Sequence, residues 1–338
     1  MQAIIQPLLE WFEQNKRQLP WRQDREPYHV WISEIMLQQT RIEAVMGYYA
    51  RFISALPDVQ ALSEADDDRL LKLWEGLGYY SRARNLKKAA LVIQNEHGGH
   101  FPQTFAALRR LPGIGDYTAG AIASICFGER VPAVDGNVLR VHARVTGSHE
   151  NVLLPAVKKS VTAALTELMP VEAGSFNEAL MELGETVCLP TSPCCGNCPL
   201  KSLCYAYQND RTAELPVRIK QQKRRSERLT VLVLTAPNGR LAIEKRGDGL
   251  LSGMYQLPNV IGHYSEEEIK SLLTAWRLEP LSVTFLKNAK HVFTHIDWLM
   301  QGWQVAVKEQ NDSFLWVSRQ ELQNAYPLPT AFRKILSP

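Results

Sequence analysis

Two carboxylates, a pair of glycines and a cluster of cysteines hold most of the chemical information in this 338-residue chain. Leu111–Val141 opens with LPGIG, where Pro112 breaks the preceding helix and Gly113 and Gly115 flank Ile114. Glycines at such points adopt backbone conformations closed to other residues and let an outside group approach the main chain. The small-residue apolar run from Thr118 to Phe127 predicts a buried helix ending at Gly128. A glycine-rich turn feeding a helix start aims several free N–H groups at one spot, a natural seat for phosphate. Asp135 follows in VDGN; taken alone, an Asp-Gly pair reads as a turn or helix cap. Glu34 lies in VWISEIMLQQT among Trp31, Ile32, Ile35, Met36 and Leu37. Apolar surroundings make a carboxyl hold its proton more tightly. Composition alone favours an exposed acid in the first turn of a helix, where the macrodipole welcomes it.

Of the six cysteines, five fall within Cys188–Cys204. In a reducing compartment such crowding reads as metal ligation before disulfides. Cys188, Cys195, Cys198 and Cys204 stand at the spacing C-x6-C-x2-C-x5-C, which lets four thiolates close around one soft centre, zinc or iron–sulfur. Cys194 reads as a non-ligand and Cys126 as a buried thiol.

The elements that must position these groups fall into two halves. From Trp11 to Gly184 there is no alternating strand pattern. Helical spacing is expected over 1–20, through Ile42, Val45, Tyr49, Phe52 and Leu56, and over 66–76, 81–95, 104–110, 138–145, 155–169 and 173–184. A basic stretch at 211–228, containing RIKQQKRRSER, reads as a solvated linker. Beyond it, LTVLVLTAPNGRLAIEKR predicts a hairpin about Asn238-Gly239. SEEEIKSLLTAWRL predicts a helix with a capping box from Ser265 to Glu268. Further strands are expected at 282–286, 292–298, 303–307 and 314–317. No apolar run reaches membrane-spanning length, the N-terminus lacks signal-peptide features, and a net charge of +3 permits nucleic acid without demanding it. A cytoplasmic monomer is the expectation.

LPGIG with its trailing Asp135 resembles the helix-hairpin-helix of the base-excision DNA glycosylases related to endonuclease III. SEIMLQQT, within 19–204, resembles the MutY branch of that superfamily, the adenine DNA glycosylases. The resemblance implies a multidomain fold: an all-α helix-hairpin-helix glycosylase with an iron–sulfur cluster loop, plus an α+β Nudix-like C-terminal domain. Its implied boundaries are 1–210 for the glycosylase region, 211–228 for the linker and 229–338 for the Nudix-like domain. Within the first, a six-helix barrel covers about 21–134, and a cluster domain takes 1–20 and 135–210. The cysteine spacing matches the family's [4Fe–4S] loop, so Cys188, Cys195, Cys198 and Cys204 become its ligands.

In that family the substrate is duplex DNA carrying adenine opposite 8-oxoguanine or G. Releasing a purine requires a proton on the leaving base and negative charge near the oxocarbenium-like sugar, which two carboxylates in different environments provide. The resemblance assigns the proton to Glu34 and the sugar to Asp135, with Asn137 positioning the attacking water. Relatives that also nick DNA carry a lysine where this chain has Tyr117. A phenol cannot form their imine, so a monofunctional enzyme is expected. Gln38, Gln39 and Tyr79 are the expected helpers in base flipping, Gln39 filling the gap and Tyr79 wedging beside 8-oxoguanine. Arg22 is expected on the adenine or the partner strand, and Gly113 and Gly115 on phosphate. Phe293, Thr294 and His295 stand where the family reads 8-oxoguanine with Phe-Ser-His, and all three reach DNA only from a turn. The C-terminal region lacks the REUxEExGU motif of a working Nudix hydrolase. The alternatives are an endonuclease III-type glycosylase for oxidised pyrimidines, which the absent lysine and the appended domain oppose, and a non-catalytic damage binder, which the presence of both acids opposes.

Overall fold

A computed structural model describes residues 1–219 and 225–337. The middle of the expected linker, 220–224, therefore lies outside the described residues. In chain order the helices are α1 (Ile5–Asn15), α2 (Pro27–Leu37), α3 (Ile42–Ala55), α4 (Val59–Glu64), α5 (Asp67–Leu73), α6 (Ser81–His97), α7 (Phe105–Leu108), α8 (Asp116–Phe127), α9 (Gly136–Thr146), α10 (Pro155–Thr166), α11 (Ala173–Thr186) and α12 (Tyr205–Gln208). Strands β1 (Arg225–Thr235), β2 (Leu241–Lys245), β3 (Tyr255–Gln256) and β4 (Asn259–Ile261) precede α13 (Glu266–Ala275). Strands β5 (Pro280–Val292), β6 (Ile296–Val307) and β7 (Leu315–Val317) then lead to α14 (Arg319–Asn324) and α15 (Thr330–Leu336). Among the described residues no strand precedes Arg225.

The chain divides into two compact units, Met1–Ser63 with Asn85–Gln221, and Glu64–Arg84 with Gln222–Pro338. In the first, Ile4, Leu8 and Phe12 join a core with Val138, Val157, Val161, Phe176, Leu180 and Leu183, so the N-terminal segment packs with α9, α10 and α11. The single helix expected over 1–20 stops at Asn15 instead; Lys16 turns extended (ψ 131°) and Pro20 starts a separate 3-10 turn. Close approach of α8 to its neighbours depends on two glycines. A Cβ on Gly120 would strike the carbonyl oxygen of Pro132, and one on Gly174 would lie 2.8 Å from that of Ser124.

The second unit is built on a sheet of order β3-β2-β1-β6-β5, with β4 on β1 and β7 on β2. β1 pairs parallel with β6 from Arg225↔Ile296 to Thr235↔Ala306. The unbroken apolar run in β1 is explained by cover on both faces. Val231 and Val233 enter a core with Leu322, Phe332 and Ile335, while Leu232 and Leu234 enter another with Ile269 and Leu273. The Asn238-Gly239 hairpin is present, with Gly239 at φ 76°, and so is the Ser265–Glu268 capping box. β1 takes up Arg225–Arg228, which the sequence assigned to the linker. The expected strand 292–298 is interrupted at 293–295, where β5 turns back into β6. The 64–84 segment is tied to this unit by polar bonds. Lys72 Nζ donates to the Leu322 and Tyr326 carbonyls, and Asp68 accepts from Lys245 and from the Tyr255 hydroxyl.

Candidate active site

The first unit contains a cavity of about 690 Å³ whose wall includes Glu34, Tyr117, Asp135 and Asn137. That volume suits a small organic group such as a nucleobase with its sugar. Glu34 projects from α2, a helix opened by Pro27 and buried from Val30 to Met36 because it packs against both α3 and α8. Only 6% of Glu34 is exposed. Burial pushes its carboxyl up to about 7; the hydrogen bond from Tyr117 pulls it back, while Asp135 and Glu178 push it further up.

Tyr117 stands in the first turn of α8, directly after the glycine turn. Its hydroxyl donates to Glu34 Oε2 at 2.5 Å and lies 3.0 Å from Met181 Sδ. Burial, then the negative charges of Glu34 and Asp135, drive the phenol well above its ordinary range, so it remains a protonated donor. Asp135 is the N-cap of α9: its Oδ1 accepts from the Val138 N–H at 2.8 Å. Its Oδ2 accepts from Asn137 Nδ2 at 2.9 Å. Burial raises its pKa, opposed by the backbone N–H groups of Val138 and Asn137 and by Arg140. The cap aspartate and the cavity aspartate are one residue.

Asn137 is held on three sides. Besides Asp135, its Nδ2 donates to Glu185 Oε1 at 3.1 Å, and its Oδ1 accepts from Arg140 at 2.8 Å. Arg140 also donates to the carbonyls of Gly184 and Cys188, both at 2.8 Å, and so joins this amide to the cysteine loop.

At the hairpin, Gly113 adopts φ 75°, and a Cβ there would come within 2.5 Å of the Asn85 Cβ. Gly115 is the N-cap of α8 and has open space around it. Arg109 pairs with Asp116 at 2.6 Å, bracing the turn. Gln38 and Gln39 follow α2 and line the cavity; Gln38 donates to Thr118 Oγ1 at 3.3 Å, and Gln39 holds φ 61°. Arg22 also lines the cavity, with its guanidinium bonded to Glu178 and Glu182, both at 2.9 Å.

Glu178, Met181, Glu182 and Glu185 were missed by sequence reasoning. They share one face of α11 at helical spacing and line the cavity. Acids recurring at i, i+4 and i+7 along an otherwise buried helix were the available signal. Asn177 was missed as well. It donates to Ser124 Oγ and the Val131 carbonyl and accepts from the Ala133 N–H, aligning the segment that enters Asp135.

The remaining expected DNA contacts lie in the second unit. Phe293, Thr294 and His295 form the β5–β6 turn, closed by the Phe293 N–H on the Ile296 carbonyl at 2.8 Å. Phe293 packs edge-on against Trp298, while Thr294 and His295 are exposed. Tyr79 is 45% exposed at φ 48°, and its hydroxyl lies 2.9 Å from Thr294 Oγ1.

Cys188, Cys195, Cys198 and Cys204 line one small cavity with Arg144 and Lys201, and Cys194 is exposed outside it. Arg144 donates to Cys188 Sγ at 3.3 Å. Burial pushes Cys198 up to about 11 and raises Cys195 and Cys204; a bound metal ion reverses that by deprotonating its thiols. Among the described residues no group of three or more His, Cys, Asp or Glu is drawn together as ligands of a single ion. Four thiolates on one loop suit a soft metal centre such as an iron–sulfur cluster. The donor set, all sulfur with a cationic neighbour, fits such a cluster.

Residues 32–170 match the model of the HhH-GPD superfamily of base excision DNA repair proteins, and 230–338 match a NUDIX domain. The adenine DNA glycosylase of Rattus norvegicus is 34% identical over 98% of this chain and 77% of its own length. That of Buchnera aphidicola subsp. Baizongia pistaciae is 32% identical over 99% and 96%. Among solved structures, a thermostable thymine-DNA glycosylase aligns with a TM-score of 0.56 at 29% identity, covering 61% of this chain and 96% of that one. A non-covalent endonuclease III–DNA complex aligns with a TM-score of 0.53 at 23% identity, covering 62% and 95%, a likeness of fold.

Proposed function

Since this chain belongs to the adenine DNA glycosylases, base-excision enzymes that cleave adenine from DNA, we propose that it is monofunctional, takes adenine opposite 8-oxoguanine or G, and works through Glu34 and Asp135. The observation that carries this reading is the pairing of a buried Glu34, held near 7, with Asp135 on the wall of one cavity. Glu34 protonates the departing adenine, and Tyr117 holds the carboxyl in line by its hydrogen bond. As the bond to C1′ breaks, the ionised Asp135 faces the growing positive charge of the sugar. Its two hydrogen bonds fix the carboxylate while leaving lone pairs for the substrate. Water then enters at C1′, leaving an abasic site. Tyr117 offers no amine for an imine, so the strand stays intact.

A [4Fe–4S] centre on Cys188, Cys195, Cys198 and Cys204 would, when bound, close their loop covalently. Arg144 and Lys201 would compensate its negative charge. The partner base falls to Thr294 and His295 on the β5–β6 turn, together with Tyr79. Threonine keeps the hydroxyl needed for a hydrogen bond to the oxidised base.

The test uses duplexes carrying A:8-oxoguanine, A:G or thymine glycol:A, with strand breaks compared before and after alkali. Alkali-dependent breaks at adenine, faster opposite 8-oxoguanine, are expected. Alkali-independent nicking at thymine glycol, or binding with no cleavage, would overturn the proposal.

A further inference from the structure

The amide of Asn137 has two hydrogens, and the structure accounts for both: one goes to Asp135 Oδ2 at 2.9 Å, the other to Glu185 Oε1 at 3.1 Å. Its carbonyl oxygen accepts from Arg140. With both N–H groups committed, this asparagine has no donor left for a water, and its orientation is set by its neighbours. Glu185 is the exposed member of the set, on the last turn of α11 at the cavity wall. The residue before it explains its reach. Gly184 packs so closely that a Cβ would lie 2.6 Å from the Asn137 Cβ, bringing the α11 backbone against the asparagine.

We propose that Glu185 is a positioning residue for base excision: by taking the second amide hydrogen of Asn137 it locks that side chain, and through it the Oδ2 of Asp135 that faces C1′. This deepens the proposed function and rests on it. A carboxylate a fraction of an ångström out of line with the sugar loses its effect on the transition state, so the defect belongs in the chemical step and not in DNA binding.

The test combines single-turnover adenine release with an NMR readout independent of turnover. Glu185→Ala should slow release about ten- to a hundredfold, with unchanged affinity for a duplex carrying a non-cleavable 2′-fluoro adenosine. Glu185→Gln keeps an acceptor oxygen and should restore most of the rate. In an Asn137→Ala background, Glu185→Ala should cost nothing further, because both changes remove one linkage. In full-length protein with 15N-labelled asparagine, the Asn137 side-chain signal, assigned by its loss in Asn137→Ala, should show two downfield protons. One should move upfield in Glu185→Ala and stay in Glu185→Gln. Independent, multiplying rate effects, a wild-type rate for Glu185→Ala, or an unmoved amide signal would each overturn the role. If the wild-type protein releases no adenine while the amide signal responds as stated, the linkage stands and the proposed reaction is what fails.

Discussion

Glu34 is where local environment and chemistry meet. Its apolar neighbours already suggested a retained proton, and the fold supplies the rest by burying the side chain under Tyr117. An acid must be protonated to act, so single-turnover adenine release should fall as pH rises through about 7, the value to which burial pushes Glu34. Tyr117→Phe removes a hydrogen bond that favours the charged carboxylate, so the midpoint of that decline should move upward. Glu34→Gln should abolish release at every pH while leaving binding to an A:8-oxoguanine duplex within a few-fold. The same shift affects stability. The folded pKa lies above the unfolded one, so the contribution of Glu34 is fully present below about 4.5 and is lost as pH rises through about 7. Glu34→Gln should therefore stabilise the protein by up to about 3 kcal/mol at pH 8 and hardly at all at pH 4 in urea unfolding. Asp135 was legible as a cap, which it is, and it also stands on the wall of the cavity that holds Glu34. The spacing of Glu178, Glu182 and Glu185 was there to be read, but what they bind was not, because their partners Arg22, Arg17 and Asn137 lie far away in sequence.

At the scale of elements, most helices could be read from spacing, since their apolar faces repeat with the helical period. The boundaries that failed are those where the chain turns, as where Lys16 leaves the first helix in an extended conformation. The strand expected over 292–298 is apolar and β-branched enough to be continuous, yet Phe293 leaves the ladder to pack on Trp298 and the chain reverses there. The hairpin before α8 shows the opposite case, in which local chemistry sufficed. Gly113 needs its left-handed conformation and has no room for a side chain beside Asn85. Gly113→Ala should lower stability by about 1–3 kcal/mol and weaken binding to undamaged duplex, read by thermal unfolding and by a salt titration of affinity. A wild-type melting point with wild-type affinity would remove the hairpin from the DNA-binding account.

Across the whole molecule, the composition change near Leu229 falls inside the first strand, which begins at Arg225. It could not reveal that 64–84 groups with the C-terminal sheet, because Lys72, Asp68 and Glu75 find partners more than 170 positions away. That grouping brings the Tyr79 hydroxyl to Thr294. Thr294→Ala should mainly erode the preference for 8-oxoguanine over G, with the single-turnover rate on A:G nearly unchanged; equal discrimination would take Thr294 out of the partner-base site. Among the described residues no helix is long and apolar enough to cross a membrane.

The parallel pairing of β1 with β6 has a consequence for how the protein is made. Arg225 meets Ile296, 71 positions later (296 − 225), so β1 leaves the ribosome well before its central neighbour exists. At typical elongation speeds the wait is roughly 4 to 14 s. During it β4 and α13 can already join the eleven-residue strand, but its β6 edge stays unpaired and the face bearing Val231 and Val233 waits for Leu322, Phe332 and Ile335. A nascent chain interrupted before Ile296 keeps the β6 edge of β1 open, a template for self-association.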